Sequence, residues 1–452
     1  QLWVGFLPIC ASYPKANIWI IPSVESPQVY RNYAQTSKVH LEMARGEVEH
    51  IQLVFPSKVN EEYRFTFDRN LKGIQISARE LKKMNGYYDA LVPFKNQLKC
   101  TDTLTAVWIT VQCPSRVPVG KYHQTIKIEG SKHFTIQLDY NVHHTTIPLK
   151  SSIPITVGVE NRCVAEGLND KEADKERQRW VDFVLSYRMT PVFGTQITPE
   201  RWQYEHSFSP WAWNDKRSIR LLNDRRYSCY MLPFFTLSEN ELASLLCNIQ
   251  KKGKLKESLF YIWDEPAYME DYEQIKQKVN IIRKYASDAR ILTTFFCGPR
   301  NGPRKGDLYA VFDYLKHHIH VATISLAPCK GNEEEVQHIR YKVPEGIDWW
   351  SYVCWQPGGN EPNFLLQMKG IQQRAIMWRT WKNGSQGFLY WNCNIYHKRN
   401  PFTYITDMPH GDGILIYPGD ILGRKGPIAS ARLERWRDGA EEMELLRLVE
   451  KN

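Results

Sequence analysis

Two adjacent carboxylates follow an apolar, β-prone run near the middle of the chain. Residues 261–263 are Tyr-Ile-Trp, and Asp264, Glu265 and Pro266 come directly after them. Consecutive side chains of a strand point to opposite faces, so two neighbouring acids at a strand end can splay and contact different parts of one ligand. Each negative charge also disfavours ionisation of the other, which raises the proton affinity of one of them. We therefore identify Asp264 and Glu265 as candidate catalytic residues, suited to acid catalysis on a sugar.

The same residues have a purely structural interpretation. Asp264 could cap a following helix, with Pro266 in its first turn and Glu265 facing solvent. The catalytic interpretation is favoured because barrel enzymes place their chemistry at the C-terminal ends of parallel strands.

Length and composition limit the classes of protein that this chain can belong to. With 452 residues and 42% hydrophobic content, the chain exceeds one ordinary core and indicates at least two domains. Its 15 Trp and 24 Tyr suit stacking on sugar rings as well as core packing. The net charge of +10 is spread among 49 acidic residues, which predicts a solvated surface and no nucleic-acid partner. No apolar run approaches the roughly 18 residues of a membrane span.

No motif for a metal or cofactor is present. The ten cysteines show no CxxC spacing, and the pairs His143-His144 and His317-His318 have no carboxylate or cysteine at metal-ligand spacing. There is no G-x-S-x-G elbow and no glycine-rich phosphate loop, which argues against an esterase or a nucleotide-binding protein. We expect no metal and no cofactor. Because the chain opens at Gln1 without methionine, we expect a processed protein of a secreted, periplasmic or lysosomal-type compartment.

The periodicity of the apolar residues changes along the chain. Residues 1–149 form short alternating runs broken by turn residues, which predicts an antiparallel β-sandwich accessory domain. From residue 150 apolar strands alternate with long amphipathic segments, which predicts a (β/α)8 TIM-type catalytic barrel over 150–410. Residues 411–452 are expected to form a C-terminal extension whose helix, at 430–449, closes and packs on the barrel. The predicted barrel strands are 153–159, 190–195, 229–235, 259–263, 291–296, 321–327, 349–355 and 388–392.

Further polar and aromatic residues lie near the ends of the last two predicted strands. If the acid pair follows the fourth strand, these side chains share its end of the barrel and could contact a sugar, although each is as often a core residue. The candidates are Trp350, Tyr352, Trp355, Tyr390, Trp391 and Asn392.

Several motifs in the second half of the chain resemble glycoside hydrolase family 123. They occur in order and span the region from about residue 148 to the end, and the first third is loosely similar to the accessory domain of that family. The motifs are Asp264-Glu265, Trp350-Ser351-Tyr352-Val353-Cys354, Asn363-Phe364, Arg374, Trp378, Gly387-Phe388-Leu389-Tyr390-Trp391, Gly411-Asp412-Gly413, Tyr417-Pro418-Gly419 and Ser430-Ala431-Arg432-Leu433-Glu434.

The resemblance implies a retaining β-N-acetylgalactosaminidase in which the 2-acetamido oxygen of the substrate attacks its own anomeric carbon. Glu265 would be the general acid and later the general base, and Asp264 would orient the acetamido N–H. The residues Trp350, Tyr352, Tyr390, Trp391 and Asn392 would form the sugar pocket. The partner would be a glycolipid, glycoprotein or polysaccharide with terminal β-linked N-acetylgalactosamine, released by exo-acting cleavage.

Two departures from the family pattern leave alternatives open. Residues 321–328 lack an Asp-x-Trp motif, and Leu366-Gln367 stand where the family often carries Asp. Both bear on which sugar fits. One alternative is a barrel glycosidase for another β-linked sugar, which would need a second carboxylate as nucleophile. The other is a catalytically inactive carbohydrate-binding protein.

Overall fold

The computed structural model describes residues 18–68, 73–198, 203–296, 298–327, 338, 341–396, 400–401 and 409–451. The first part of the described chain forms two five-stranded sheets. One has the order β1-β3-β8-β5-β6 and the other β2-β10-β9-β4-β7. All strand pairs are antiparallel except β2 with β10, which is parallel. The strands are β1 Trp19–Pro22, β2 Lys38–Arg45, β3 Val48–Pro56, β4 Glu62–Phe67, β5 Gln75–Met84, β6 Tyr87–Pro93, β7 Gln97–Lys99, β8 Leu104–Gln112, β9 Gly120–Glu129 and β10 His133–Thr146.

These two sheets enclose their own apolar core. In β2 the side chains of Val39, Leu41 and Met43 are buried, while Lys38, His40 and Glu42 face solvent. That period of two is the pattern of a strand with one face on a core. The antiparallel β-sheets expected from the sequence are therefore present.

A third, nine-stranded sheet curves into a nearly closed barrel. Its order is β13-β12-β11-β19-β18-β17-β16-β15-β14, and every neighbouring pair is parallel except β12 with β13. The two edges meet where the Phe208 N–H donates a 2.7 Å hydrogen bond to Met231 O. The strands are β11 Ile155–Glu160, β12 Thr190–Thr198, β13 Gln203–Ser207, β14 Tyr230–Met231, β15 Ser258–Trp263, β16 Ile291–Phe295, β17 Val321–Ser325, β18 Asp348–Val353 and β19 Phe388–Tyr390.

Each of the eight predicted barrel segments overlaps one of these strands. The expected regular eight-fold repeat is not reproduced, however, because β13 folds back on β12 as an antiparallel ninth strand and occupies the place between the second and third parallel strands. The helices are α1 Asn161–Ala165, α2 Asp170–Ser186, α3 Lys216–Leu221, α4 Glu239–Lys251, α5 Met269–Arg283, α6 Ala310–Leu315, α7 Gly370–Arg374, α8 Ile376–Lys382 and α9 Ala431–Glu450.

The interior of the barrel is filled by side chains. Trp350, Tyr352 and Cys354 point into one interior cluster, as the alternation along a strand requires. Gly387 makes room for this cluster, since a Cβ on it would lie 2.3 Å from the Trp350 ring. Parallel barrel strands are buried on both faces, which explains their nearly continuous apolar sequences.

The C-terminal segment joins the barrel to the first two sheets. It contains the hairpin β20 Ile416–Pro418 with β21 Pro427–Ala429, and then α9. Trp436 of α9 packs against Phe388 on the outer face of the barrel, and Arg432 of α9 forms a buried ion pair with Asp89 of β6. This helix therefore packs between the barrel and the first two sheets, and both of its faces are buried. The domain boundaries proposed from the sequence stay predictions.

Candidate active site

The acid pair leaves the barrel at the C-terminal end of β15. Glu265 has a φ of +44°, in the left-handed region that non-glycine residues seldom adopt. Such backbone strain is concentrated at functional sites. The helix-cap interpretation of Asp264 is wrong, because α5 begins at Met269 and its first turn is bonded by Asp271, which accepts the Tyr268 N–H at 2.9 Å.

Asp264 is held by two hydroxyl groups. Tyr261 Oη and Thr294 Oγ1 each donate a hydrogen bond of 2.7 Å to Asp264 Oδ1. Among the residues that the structure describes, none donates to Oδ2. The arrangement fixes one carboxylate oxygen and leaves the other available to a ligand.

Glu265 is held by its backbone and by its side chain. Its N–H donates to Thr294 Oγ1 at 2.9 Å, and the phenol of Tyr352 donates a short hydrogen bond to Oε1. The protein atoms that displace water around this carboxyl, together with the charge of Asp264, raise the pKa of Glu265 to about 7, although Tyr352 and Arg300 act in the opposite direction. A carboxyl with this pKa is half protonated near neutral pH and can act as an acid or as a base.

A cavity beside Asp264 encloses about 600 Å³, counting the part that opens to solvent. Small residues of β11 and β12 form its floor, and aromatic rings form much of its wall. Its lining includes Gly158, Gly194, Tyr204, His206, Tyr261, Asp264, Tyr390, Trp391 and Asn392. A second cavity of about 380 Å³ shares Tyr204, His206, Tyr261 and Asp264 with the first.

The three candidate residues at the end of β19 all border the first cavity, but they differ in orientation. The ring of Trp391 packs against the interior cluster, and its Nε1 donates to Asp412 Oδ1 at 3.0 Å. Tyr390 is fully buried on the outer side of the strand, and its hydroxyl donates to the same oxygen at 3.2 Å. Asn392 Oδ1 accepts the Asn394 N–H at 2.9 Å.

The three candidates around β18 lie at different depths. Trp350 is 1% exposed and belongs to the barrel interior, Tyr352 contacts Glu265 directly, and Trp355 is 44% exposed and stacks on Phe296. Neither cavity is lined by Trp350, Tyr352 or Trp355. Their predicted roles in sugar binding stay predictions.

The structure adds four residues to the candidate site that the sequence analysis did not assign to it. Tyr261 and Thr294 position Asp264, Asp412 accepts a hydrogen bond from Trp391, and His206 lines both cavities. A period-two pattern marks Tyr261 and Thr294 only as buried strand residues. His206 had no local signal, since it lies on the strand that sequence periodicity did not reveal.

The described part of the chain contains no group of three or more His, Cys, Asp or Glu placed to hold a metal ion. Within the same residues, no helix is both long and apolar enough to cross a lipid bilayer.

Comparison with known proteins decides the family. The model of the glycoside hydrolase 123 catalytic domain matches residues 175–449, which include the acid pair, most residues that line the first cavity and all but the last residue of α9. The chain belongs to glycoside hydrolase family 123. The family expected from the sequence motifs is thereby confirmed, and membership indicates a glycosidase with a glycan substrate.

A solved structure supports the same assignment at the level of the fold. A family 123 glycoside hydrolase from Clostridium perfringens, described in a study of glycolipid glycan hydrolysis, aligns with a TM-score of 0.69 at 14% identity and covers 96% of this chain and 88% of its own. A family 2 β-galacturonidase from Eisenbergiella tayi aligns with a TM-score of only 0.36 at 8% identity, covering 88% of this chain and 90% of its own. No curated protein matches this chain.

Proposed function

We propose that this family 123 hydrolase is an exo-acting β-N-acetylgalactosaminidase that retains anomeric configuration by substrate-assisted catalysis. The observation that carries the proposal is the contrast between two adjacent acids. Glu265 has its pKa raised to about 7, whereas Asp264 accepts two hydrogen bonds on one oxygen and leaves the other open. Unequal environments of this kind divide acid and electrostatic roles between two carboxyls.

In the first step the acetamido oxygen of the bound sugar attacks the anomeric carbon. The bond to the leaving oxygen breaks, and Glu265 transfers its proton to that oxygen. Asp264 accepts a hydrogen bond from the acetamido N–H, which orients the group and stabilises the positive charge that develops on the oxazolinium ring. The sugar supplies the nucleophile, so no carboxylate of the protein attacks carbon.

In the second step water attacks the same carbon and opens the ring. Glu265, now ionised, removes a proton from the water, and the acetamido group is restored. Two inversions at one carbon give a product with retained β configuration. A pKa near 7 suits both steps, because the group must lose and regain one proton in each cycle.

The first cavity supports a single terminal sugar as the bound unit. Its aromatic wall includes Trp391, and Asp264 borders it, so a ring bound there lies next to the acid pair. We propose that the terminal β-linked N-acetylgalactosamine of a glycolipid, glycoprotein or polysaccharide binds there.

Hydrolysis of p-nitrophenyl β-N-acetylgalactosaminide tests the proposal. We expect release of nitrophenol with the β anomer as first product in proton NMR, and a loss of about 100-fold or more in Glu265→Gln. Glu270→Gln is the matched control, because Glu270 is an exposed acid in the first turn of α5. An α-anomeric first product, or equal activity in both variants, contradicts the proposal.

A thiazoline analogue of N-acetylgalactosamine separates this mechanism from that of other glycosidases. It mimics the cyclic intermediate, so only an acetamido-assisted enzyme should bind it much more tightly than the product sugar. Tight sugar binding in calorimetry without turnover would instead indicate a carbohydrate-binding protein.

A further inference from the structure

His206 lies on the β12–β13 hairpin, the antiparallel insertion in the barrel sheet. It pairs in register with Gly194, and its side chain shares one face of the hairpin with Tyr204. Both rings line both cavities beside Asp264. The antiparallel hairpin therefore places the rings of Tyr204 and His206 on the wall of the candidate active site.

The other face of the hairpin is tied down. Glu205 is 7% exposed, and its carboxylate accepts the backbone N–H groups of Phe234 and Thr236 at 2.8 and 2.7 Å. These bonds attach β13 to the segment that follows β14. His206 is therefore held on an anchored strand, which is a requirement for selective contact with a ligand.

The imidazole of His206 lies flat on the ring of Tyr261. The ring centroids are 4.2 Å apart and the planes differ by 9°, while the Tyr261 hydroxyl donates to Asp264. The imidazole edge is thus next to the residue that orients the acetamido group in the proposed mechanism.

Burial lowers the pKa of His206 to about 3, so the ring is neutral at any pH at which Glu265 exchanges protons. A neutral imidazole offers one N–H donor and one acceptor. Of the residues described in the structure, none hydrogen-bonds to either ring nitrogen. A fixed, neutral group with both hydrogen-bonding functions matches a sugar hydroxyl, which also donates and accepts.

We propose that His206 is a specificity-determining residue, which hydrogen-bonds to one hydroxyl of the sugar ring bound beside Asp264. The inference rests on the proposed function for the identity of that sugar, and it extends the function by assigning the group that distinguishes it from its epimers. A site built to bond a hydroxyl discriminates against analogues that lack it, because its own polar atoms are then left unpaired.

A cycle that combines enzyme variants with deoxygenated substrates tests the inference. His206→Phe keeps a flat ring on Tyr261 but removes both nitrogens, and His206→Gln restores a donor and an acceptor. The substrates are p-nitrophenyl β-N-acetylgalactosaminide and its 3-, 4- and 6-deoxy analogues. We expect His206→Phe to lower kcat/KM about tenfold or more on the parent sugar and His206→Gln to recover part of the loss.

Non-additivity identifies the hydroxyl. For the deoxy substrate that lacks this hydroxyl, the loss of kcat/KM in His206→Phe combined with deoxygenation should be no greater than the larger of the two single losses. Losses of kcat/KM that add at every ring position would overturn the proposal. A loss in His206→Phe equal to that in Ser207→Ala would also overturn it, because the Ser207 side chain lies on the opposite face of the hairpin. Circular dichroism and the thermal midpoint verify that each variant is folded.

Failure of the proposed function gives a different result. If the wild-type protein does not hydrolyse the parent substrate, the same cycle is measured by calorimetry, with N-acetylgalactosamine and its 3-, 4- and 6-deoxy analogues as ligands. Loss of discrimination among them in His206→Phe supports the inference. Unchanged discrimination, or no binding of N-acetylgalactosamine by the wild-type protein, overturns it.

Discussion

The hydroxyl of Thr294 donates a 2.7 Å hydrogen bond to Asp264 Oδ1. Thr294 Oγ1 in turn accepts the backbone N–H of Glu265 at 2.9 Å. One side chain of β16 therefore positions both acids at the end of β15, although 30 and 29 residues separate it from them.

Thr294→Val should lower kcat without unfolding the protein. Valine keeps the shape of threonine but removes the donor to a carboxylate, a hydrogen bond worth about 1.5–3 kcal/mol, which corresponds to about 10- to 100-fold in rate. The measurement is steady-state hydrolysis of the nitrophenyl substrate. Thr293→Val is the matched control, because Thr293 is equally buried and its hydroxyl has no hydrogen-bond partner in the described part of the chain. Equal activity of the two variants would refute the positioning role of Thr294.

The pH dependence of kcat/KM should show a descending limb near pH 7. The first step needs protonated Glu265, whose pKa is raised to about 7, so activity should fall about tenfold per pH unit above that value. The hydrogen bond from Tyr352 favours the ionised form, so Tyr352→Phe should raise the pKa and move the limb to higher pH. Asp264→Asn removes a nearby negative charge and should move it to lower pH.

Tyr230→Phe provides the reference for these shifts. Its hydroxyl donates at 3.0 Å to Leu222 O, a buried contact outside both cavities. A limb that stays in place in Tyr352→Phe, or moves by the same amount in Tyr230→Phe, would exclude Glu265 as the titrating acid.

Strand positions were the part of the fold that the sequence predicted well. Parallel barrel strands are buried on both faces, so each leaves an apolar run of recognisable length, as residues 259–263 do for β15. The β13 strand left no such run, because Gln203, Glu205 and Ser207 are polar. Its position is set by bonds from Glu205 to a distant segment, which local periodicity does not report.

The candidate site was predictable only in part, because contacts between residues distant in sequence leave no local pattern. Asp264 and Glu265 are adjacent and follow a strand, so the chain itself brings them together. Thr294 reaches Asp264, and Asp412 reaches Trp391 of the cavity wall, only through the fold. In α9, charged residues such as Arg432 and Glu434 have the pattern of a solvated face, yet both are buried against partners in the first two sheets.

Gly413→Ala should impair the cavity wall. Gly413 has a φ of +67°, and a Cβ on it would lie 2.5 Å from the ring of Trp391 and 2.6 Å from Ile395 Cγ2, so both side chains must shift. Displacement of a substrate-positioning group by about 1 Å can cost 100-fold in activity, and we expect kcat/KM to fall by about 10- to 100-fold.

Gly423→Ala is the control for backbone strain in that experiment. Gly423 has the same φ of +67°, but its added Cβ meets no atom within 4 Å. Both alanines cost about 1 kcal/mol of strain, and only the first contacts Trp391. Comparable activity in the two variants would show that the position of Trp391 does not matter for turnover.

Arg432→Met should destabilise the protein and the site together. Arg432 pairs with Asp89 at 2.9 Å with both side chains almost fully buried, and its Nη1 also donates to the carbonyl oxygens of Phe364 and Gly411 at 2.7 Å. Removal of one partner leaves a buried charge unpaired, which costs about 3–5 kcal/mol. We expect a lower thermal unfolding midpoint.

The same substitution should lower activity at temperatures below that midpoint, because Gly411 precedes the segment that holds Trp391. Lys284→Ala is the comparison, since Lys284 forms an exposed ion pair with Glu239. Loss of this ion pair should leave the thermal unfolding midpoint and kcat/KM nearly unchanged. The pair of measurements separates two functions of α9. If Arg432→Met lowers the midpoint but not kcat/KM in the folded protein, α9 contributes only to stability. A parallel loss of both places the C-terminal segment among the elements that position the substrate.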